Sequence, residues 1–466
     1  MYALRPYQTD GVSAIRESFI RGSRSPLYVL PTGGGKTVLF SYIAANAASR
    51  GKHVWILVHR IELVRQTSKK LHEAGILHGI VNPKFTPNYH HPLQVASVQS
   101  LVRRMDKFRH KPDLIIVDEC HHANASTWAR VLEANPQAKI LGVTATPCRT
   151  DQSGLGSASG GFFDSLIVGP QIYDLIRDGF LSRPVVYAPG KAIDLSGIRS
   201  RAGDYATDEL AALMDKPTIT GDAVKHYARL CPGQPAIVFC VSVAHAQHVA
   251  AQFRDAGYRF ESVDGTMDDN DRARILDGLG NGTIHGVTSC ELISEGTDIP
   301  AVACAILLRP TMSLGMYLQQ VGRALRPAPG KAHAVILDHV GNVMRHGLPD
   351  EHRDWSLDAP AKKTKGGKNQ PAVNVKQCPV CYAVHEPAPV CPLCDHQYAP
   401  DPRQVEQIDG ELREITEADK DAISKSRHRE QALARSLEDL RELARRRGYK
   451  PGWADHIFKS RQRKTG

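Results

Sequence analysis

The run LPTGGGKT, Leu30 to Thr37, combines the residue types that hold a phosphate group. It follows an apolar segment, LYVL at 27–30, that predicts a buried strand, and it precedes a predicted helix from Val38 to Arg50. In a strand–loop–helix unit, the backbone N–H groups of the loop and the positive end of the helix dipole face the same point. The sequence therefore predicts a polyphosphate site in this loop.

Two side chains of the loop have specific roles in such a site. We predict that Lys36 reaches the β- and γ-phosphates of a nucleotide and that the Thr37 hydroxyl binds Mg²⁺. The general phosphate-loop pattern has Gly at the position of Leu30, and a chance Gly-rich turn is the alternative interpretation. The other loop residues expected at the nucleotide are Thr32, Gly33, Gly34 and Gly35.

A pair of acids ends a second apolar segment, DLIIVDECHH at 113–122. Ligands collect at the carboxyl ends of strands in open α/β sheets, and adjacent carboxylates there are rarely structural because a core contains nothing to pair them. We predict that Asp118 binds Mg²⁺ and that Glu119 orients or deprotonates the attacking water. His121 either links this site to neighbouring elements or is a plain hydrogen-bonding residue.

Polar side chains at the ends of other elements extend the candidate site. Gln8 precedes the first predicted helix, and its amide has the donor and the acceptor that bidentate recognition of adenine needs. Basic and amide groups at a strand-to-helix junction, and at the end of a strand predicted over Leu93 to Leu101, suit nucleic-acid phosphates. A solvated helix face is the alternative interpretation. The predicted nucleic-acid residues are Arg60, Gln66, Ser97 and Gln99.

In this order along the chain, PTGGGKT, DECH and TATP resemble the nucleotide-binding half of a superfamily 2 helicase of the DEAD/DEAH-box type. LRPYQ (4–8) resembles the adenine-reading element of that family, and VHRIELVRQ (58–66) resembles its first nucleic-acid motif. The LRPYQ opening and DECH in place of DEAD are more similar to the DNA-directed, restriction-enzyme and repair-type members. The resemblance covers residues 4–340 and implies that ATP binds between two RecA-like domains, with nucleic acid crossing both.

Two motifs in the second half of the chain complete the resemblance. SEGTDIP, 294–300, resembles the helicase motif that joins nucleic acid to nucleotide, which implies that Gly296 and Asp298 lie at the nucleotide. QQVGRALRP, 319–327, matches Q-x-x-G-R-x-x-R, with Arg323 and Arg326 three apart on one helix face. A guanidinium can offset the charge that develops on a transferring phosphoryl group, and its supply from a second domain would make hydrolysis depend on domain closure. Two arginines in surface salt bridges are the alternative.

Two C-x₂-C pairs near the C-terminus, CPVC and CPLC, are separated by nine residues. Paired knuckles of this kind give four thiolates that close tetrahedrally on Zn²⁺. We expect the metal to act as a structural staple, with contact between the module and DNA as a second hypothesis. The other six of the ten cysteines are scattered, and we expect them to be reduced. The predicted zinc ligands are Cys378, Cys381, Cys391 and Cys394.

The 466-residue chain carries a net charge of +10 and has a pI near 9.1, which favours a polyanionic partner. Nucleic acid is the first candidate, with DNA favoured over RNA by the resemblance; replication, repair or restriction proteins are candidate partners. No apolar run approaches the roughly 20 residues of a membrane span, so we expect a cytoplasmic protein without membrane contacts.

The predicted fold class is α/β, with two tandem RecA-like parallel-sheet domains, a small zinc ribbon and a helical C-terminal tail. In the tail, Leu433, Leu437, Leu440 and Ala444 recur at helical spacing. The expected segments are an ATP-binding domain at 1–180, a second domain at 181–345, a basic linker at 346–376, a zinc ribbon at 377–398 and a helical basic region at 399–466.

These features predict an enzyme that couples ATP hydrolysis between two domains to movement along DNA or to its unwinding. Two alternatives stay open at this stage. One is a nucleic-acid clamp that uses ATP as a conformational switch without separating strands. The other is the motor subunit of a restriction or repair complex.

Overall fold

The computed structural model describes residues 3–122, 126–149, 154–189, 195, 197–201, 203–214, 217–290, 302–358, 375–398, 430–431, 434, 436–447 and 452–462. The predicted residues Gly296, Asp298 and Leu433 lie outside these ranges. The chain forms two compact units, Met1–Ala399 and Pro400–Gly466. Across the described ranges, no helix is both long enough and apolar enough to cross a bilayer.

Within the described residues the first unit contains two large sheets and one two-stranded sheet, and the first large sheet has seven parallel strands. The strands are β1 (Pro26–Val29), β2 (Val54–Val58), β3 (Gly79–Val81), β4 (Leu93–Ser97), β5 (Leu114–Asp118), β6 (Lys139–Thr144) and β7 (Ser165–Val168). Their spatial order is β3-β4-β2-β5-β6-β1-β7. The central strands are continuous apolar runs that are buried along their length, as in parallel sheets covered on both faces. This order places β1, which leads into the glycine loop, beside β6 and one strand away from β5.

Helices cover this sheet and complete what we call the first lobe. They are α1 (Pro6–Ile20), α2 (Lys36–Ser49), α3 (Ile61–Glu73), α4 (Val98–Val102) and α5 (Ser126–Glu133). The next helix, α6 (Ile172–Arg177), follows β7 but packs Ile172 and Leu175 into the core of the second sheet. The strand predicted over 93–101 was wrong at its end, because β4 stops at Ser97 and Gln99 lies on α4. Ser97 Oγ donates a hydrogen bond to Ser100 Oγ at 2.7 Å, a local bond that favours the turn into a helix.

The second sheet has eight strands within the described residues, and we call it, with its helices, the second lobe. A separate hairpin pairs β9 with β10. The strands are β8 (Pro184–Tyr187), β9 (Ser200–Arg201), β10 (Asp204–Tyr205), β11 (Ala236–Phe239), β12 (Phe260–Val263), β13 (Gly286–Ser289), β14 (Cys304–Leu307), β15 (Ala334–Asp338), β16 (Lys376–Gln377) and β17 (Ala383–His385). The helices are α7 (Thr207–Met214), α8 (Pro217–Leu230), α9 (Val243–Asp255), α10 (Asp269–Asn281), α11 (Leu314–Ala324) and α12 (Asn342–His346).

The order of the second sheet is β12-β13-β11-β14-β15-β8-β17-β16. The first six strands in this order are parallel, and β17 and β16 continue the sheet in antiparallel pairing. The cysteine-bearing hairpin of β16 and β17 is therefore hydrogen-bonded to the second lobe rather than set apart from it. The predicted fold class is confirmed: two α/β domains on parallel sheets, a zinc-ribbon hairpin and a helical tail.

The chain returns to the first lobe after α12, through residues 347–358, which we call the return segment. Arg353 N donates to Oε1 of Gln171 at 2.9 Å, and Nε2 of Gln171 donates to Arg353 O at 3.0 Å. Trp355 packs against the cores of both lobes, and Leu357 packs against the first. The linker expected from 346 is therefore wrong at its beginning, because a few apolar side chains fix this polar stretch. Residues 359–374 of that linker lie outside the described ranges.

The second unit contains two helices within its described residues, α13 (Leu437–Arg447) and α14 (Trp453–Gln462). A capping box opens α13: Asp439 N donates to Ser436 Oγ at 3.0 Å, and Ser436 N donates to Oδ2 of Asp439 at 2.9 Å. The two helices share a small core that includes Leu440, Leu443 and Ala454. The predicted apolar stripe is thus a packing surface where it is described.

Candidate nucleotide site and metal centre

The glycine loop between β1 and α2 has backbone conformations that favour glycine. Gly33 and Gly35 have φ values of 86° and 82°, the left-handed region in which a side chain is strained. A Cβ atom on Gly35 would also lie 2.5 Å from Nε2 of Gln8. That buried amide nitrogen donates to the carbonyl oxygens of Gly34 at 3.2 Å and Gly35 at 3.3 Å. Gln8 therefore fixes the loop from the first helix.

The same amide was predicted to read adenine. Its Oε1 accepts a hydrogen bond from Arg5 N at 2.9 Å, while its Nε2 bonds the loop carbonyls. Both polar atoms of Gln8 are thus used inside the protein, and reading a base through them requires these bonds to exchange. The adenine role stays a prediction.

The two acids lie at the carboxyl end of β5, opposite the loop lysine. Nζ of Lys36 is 3.5 Å from Oε1 of Glu119, and Nδ1 of His121 is 3.6 Å from its Oε2. Glu119 has a φ of 47°, an uncommon conformation for a residue with a side chain and one that recurs at functional sites. Burial, together with the neighbouring charge of Glu119, raises the pKa of Asp118 to about 7.

His121 also joins the acids to the end of β6. Its Nδ1 lies 2.9 Å from Oγ1 of Thr144, and that hydroxyl donates to Thr146 O at 3.0 Å. Of the two interpretations of His121, the structure favours the link to a neighbouring element. The carboxyl ends of β5 and β6 are thereby coupled beside the glycine loop.

The second lobe approaches the glycine loop through α11. Ser313 caps this helix by accepting a hydrogen bond from Met316 N at 3.2 Å. A Cβ atom on Gly322 would lie 2.6 Å from Cβ of Thr32, so only glycine permits this approach of the helix to the loop. Arg323 is buried and, with Arg326, faces the cavity between the lobes.

That cavity has a volume of about 220 Å³. Both lobes contribute chemically active side chains to it, so the structure brings together residues that lie nearly 300 positions apart in the chain. Its lining includes Thr32, Gly33, Gly35, Lys36, Thr37, Gln66, Lys70, Asp118, Glu119, Gln319, Arg323 and Arg326.

Gln319, for which the sequence predicts no role, faces the same cavity. It is 3% exposed, and neither polar atom of its amide has a hydrogen-bond partner among the described residues. A buried amide without partners is costly unless a ligand satisfies it. The sequence does contain a signal for this residue, because Gln319 is the first residue of the Q-x-x-G-R-x-x-R motif.

Lys331 was also missed, and no sequence signal pointed to it. Its Nζ donates to Val302 O at 2.8 Å, to Arg326 O at 2.6 Å and to Ala324 O. A cation at these carbonyls stabilises the C-terminal end of α11, where the arginines lie.

The four clustered cysteines form the second candidate site. Their Sγ atoms all lie within 4.8 Å of one another, with 3.6 Å between Cys378 and Cys394 and 3.7 Å between Cys381 and Cys391. Tetrahedral zinc with Zn–S bonds of about 2.3 Å separates its sulfurs by roughly 3.8 Å, so the donor set fits this ion. Zinc held by these thiolates would cross-link the two knuckles.

The backbone of the two knuckles is built alike. Tyr382 N donates to Cys378 O, and Asp395 N donates to Cys391 O, each at 3.0 Å. Both residues that follow a knuckle have positive φ, 64° for Tyr382 and 56° for Asp395. The turns therefore aim all four thiols at one point.

Comparison with known proteins places these motifs in a family. Residues 1–149 match the family model of the type III restriction enzyme res subunit, and residues 222–328 match the helicase conserved C-terminal domain. A 51.5 kDa protein of a Lactococcus phage is 36% identical over 372 residues, which cover 79% of this chain and 77% of that protein. This chain belongs to the superfamily 2 helicases of the restriction-enzyme-like type. The resemblance drawn from the sequence is confirmed.

Two further relatives extend the comparison. The helicase is 30% identical over 358 residues to the proposed ATP-dependent helicase IRC3 of Saccharomyces cerevisiae, covering 72% of this chain and 51% of that one. The ATP-dependent type ISP restriction-modification enzyme LlaBIII, solved bound to DNA, shares the fold with a TM-score of 0.53 and 19% identity, over 72% of this chain and 28% of that one. The chain thus spans about half of the yeast protein. The family assignment makes the chain an ATP-hydrolysing enzyme.

The residues predicted to contact nucleic acid lie at the carboxyl ends of the neighbouring strands β2 and β4 or on the helices that follow them. Arg60 stands at the N-terminus of α3, and Gln99 is exposed on α4. Ser97 is buried, and its hydroxyl accepts from Nδ2 of Asn82 at 3.2 Å. Gln66 lines the nucleotide cavity. Arg60 and Gln66 are partly exposed and Gln99 is exposed, so Ser97 alone of the four lacks the accessible position that a phosphate backbone requires.

Proposed function

We propose that this helicase hydrolyses ATP in the cavity between its lobes and uses their closure and opening to move along DNA or to unwind it. The observation that carries the proposal is the composite cavity. Lys36 and the two acids come from the first lobe, and Arg323 and Arg326 come from the second. Because neither lobe alone has the full set of charges, hydrolysis would depend on the distance between them.

Each charged side chain has one task in this proposal. Lys36 binds the β- and γ-phosphates, and Glu119 orients the attacking water and accepts its proton. Arg323 and Arg326 stabilise the charge that develops on the transferring phosphoryl group. Thr37 and Asp118 would hold Mg²⁺, which would neutralise phosphate charge.

Positive charge supports nucleic acid as the second ligand. The net charge of +10 favours a polyanion, and the solved relative LlaBIII is bound to DNA. Exposed Gln99 and the partly exposed Arg60 are the proposed backbone contacts in the first lobe. We extend the proposal to Gly296 and Asp298, which lie outside the described residues. Restriction or repair proteins are the proposed partners, by analogy with the matched families.

The decisive experiment compares the full-length protein with Glu119→Gln and Lys36→Ala, measuring ATP hydrolysis with and without single-stranded DNA, duplex DNA and RNA. We expect each variant to lose roughly 100-fold or more of its turnover, because each removes a group that acts in the transition state. Glu133→Gln, the same change on an exposed residue of the first lobe, is the matched control. Near-normal turnover in Glu119→Gln would remove its assigned role.

A strand-displacement assay distinguishes a helicase that separates strands from a clamp that uses ATP only as a conformational switch. Displacement that depends on ATP and on Lys36 supports the helicase proposal. ATP hydrolysis that DNA stimulates, without displacement or translocation, would instead assign this chain to the clamp class. Steep loss of DNA affinity with rising salt is expected if phosphates are the main contact.

A further inference from the structure

Two helices face each other across a cleft beside the nucleotide cavity, α3 from the first lobe and α10 from the second. Two ion pairs bridge them. Nη1 of Arg65 is 2.8 Å from Oδ2 of Asp269, and Nη1 of Arg272 is 3.6 Å from Oε1 of Glu62. Each helix thus presents an acid and, three residues later, an arginine, and the two sets pair reciprocally.

Reciprocal pairing specifies an alignment of the two helices. On α3 the order is Glu62 then Arg65, and on α10 it is Asp269 then Arg272. A shift of either helix by one turn would bring like charges together or leave the charges apart. Only one register satisfies both pairs.

Contacts within the second lobe hold Arg272 in place, and the pairing itself favours the charged form of Asp269. Arg272 is 8% exposed, and its Nη2 donates to Met267 O at 3.1 Å and Asp264 O at 3.4 Å within the second lobe. The hydrogen bond from Arg65 lowers the pKa of Asp269, so this carboxylate is charged at neutral pH. Asp269 also opens α10, where a negative charge is favoured by the helix dipole.

The cleft adjoins the catalytic cavity. Gln66 and Lys70 line both, so a displacement of α10 along α3 occurs within one side-chain length of the nucleotide cavity. Arg323 and Arg326 belong to the same lobe as α10. Their distance from Lys36 therefore follows the position of α10 on α3.

We propose that the Arg65–Asp269 and Glu62–Arg272 pairs are positioning contacts that set the closed register of the lobes. They would thereby place Arg323 on α11, and Arg326 just after it, against the nucleotide. This inference rests on the proposed function, because it takes hydrolysis to occur between the lobes. None of the four residues is among those that line the nucleotide cavity. They act through Arg323 and Arg326.

The test uses the outer pair in the full-length protein, since Arg65 and Asp269 are 39% and 45% exposed and substitution there does not disturb a core. The variants are Arg65→Asp, Asp269→Arg and the double exchange. We expect each single variant to lose roughly three- to tenfold in kcat, because like charges then oppose closure, with KM for ATP held within about twofold. The double exchange restores this pair, although Asp269→Arg also removes a carboxylate whose Oδ1 lies 3.5 Å from Nη1 of Arg272. We therefore expect the double exchange to lose less kcat than either single variant.

KM and kcat separate because the glycine loop, in the first lobe, makes the ground-state contacts, whereas the arginines act on the transition state. The matched control is the exchange of Arg441 and Asp455, a pair at 2.9 Å with exposures of 50% and 43% in the second unit. Its single and double variants should leave kcat unchanged. Unfolding midpoints should be the same throughout, since an exposed pair adds little to fold stability.

Two results would overturn the inference. One is a double exchange whose loss in kcat is the product of the two single losses, because that shows no interaction between the residues. The other is full kcat in both single variants. If the unmodified protein itself hydrolyses no ATP, the proposed function fails instead, and the two failures are distinguished by that one measurement.

Discussion

Asp118 lines the nucleotide cavity, and its surroundings disfavour the charged form of its carboxyl group. Burial and the charge of Glu119 raise its pKa to about 7, above the value of about 3.8 for an exposed Asp. The folded state therefore retains the proton over a pH range in which the unfolded chain has lost it. The free energy of unfolding should therefore fall as pH rises from about 4 to about 7. Above pH 7 the charged carboxylate of Asp118 should destabilise the folded state by a constant amount.

We expect Asp118→Asn to raise the unfolding midpoint in Mg²⁺-free buffer, more at pH 8 than at pH 5, because the neutral amide removes this cost. Thermal unfolding at the two pH values measures the effect. Asp113→Asn is a control of opposite sign. The hydrogen bond from His53 N lowers the pKa of Asp113, so its loss should destabilise the protein at pH 8. An equal midpoint shift for Asp118→Asn at both pH values would contradict the argument.

The residues that we propose as catalytic could be selected from the sequence because each belongs to a short local motif. Lys36, Asp118 and Glu119 follow apolar strands, and the carboxyl ends of such strands meet at one sheet edge. The way in which Gln8 holds the loop was not readable, since it depends on how α1 packs. The partnerless amide of Gln319 could be recognised only after the lobes were seen together.

Among the elements, the pairing of β17 with β8 gives the zinc-ribbon hairpin a structural task. Ala383 lies opposite Tyr187 and Val384 opposite Val186, so the hairpin covers an edge that β8 would otherwise expose. The side chain of Gln377 adds a bond to Ala188 O. Because the cysteine knuckles shape this hairpin, the edge of the second sheet depends on them.

We expect Cys378→Ser combined with Cys391→Ser to speed hydrogen exchange at residues 185–188, since β8 loses its cover when the knuckles open. Residues 236–239 of β11, which have strand neighbours on both sides, should exchange as before. Cys148→Ser, at an exposed cysteine outside the cluster, is the control substitution. Unchanged exchange at β8 in the double variant would show that the hairpin docks without the metal site.

The predicted boundaries of the strands were accurate where the apolar pattern was strong. The continuous runs of β2 and β5 were predicted closely because only a buried strand explains them. The end of β4 was misplaced, since VASVQSL continues the apolar pattern while the backbone turns into α4. The docking of the hairpin on β8 was beyond sequence reasoning, because any exposed edge could have accepted it.

At the scale of the whole molecule, the return segment ties the two lobes together through Trp355. We expect Trp355→Ala to lower the unfolding midpoint and to separate the lobes into two calorimetric transitions, because this ring packs on both cores. The side chain is only partly buried, so the cost should be below the roughly 3–5 kcal/mol of a fully buried Trp. Leu77→Ala, at a residue that is 78% exposed, should change neither quantity. A single transition at an unchanged midpoint in Trp355→Ala would show that the lobes are coupled elsewhere.

The two-domain α/β plan was predictable from the alternation of strand and helix patterns and the positions of the motifs. The return segment was not. Residues 347–358 are mostly polar, which favours a linker on composition alone, and the contacts that fix them come from surfaces more than 180 residues away in sequence.

The chain joins the lobes at three places in the sequence: between β7 and β8, through the return segment, and between that segment and β16, which belongs to the second sheet. Each further connection removes directions in which one lobe can swing against the other. The lobes are therefore restricted to fewer relative movements than a single linker would allow. For a motor, that restriction is what would make successive strokes repeat along the same path.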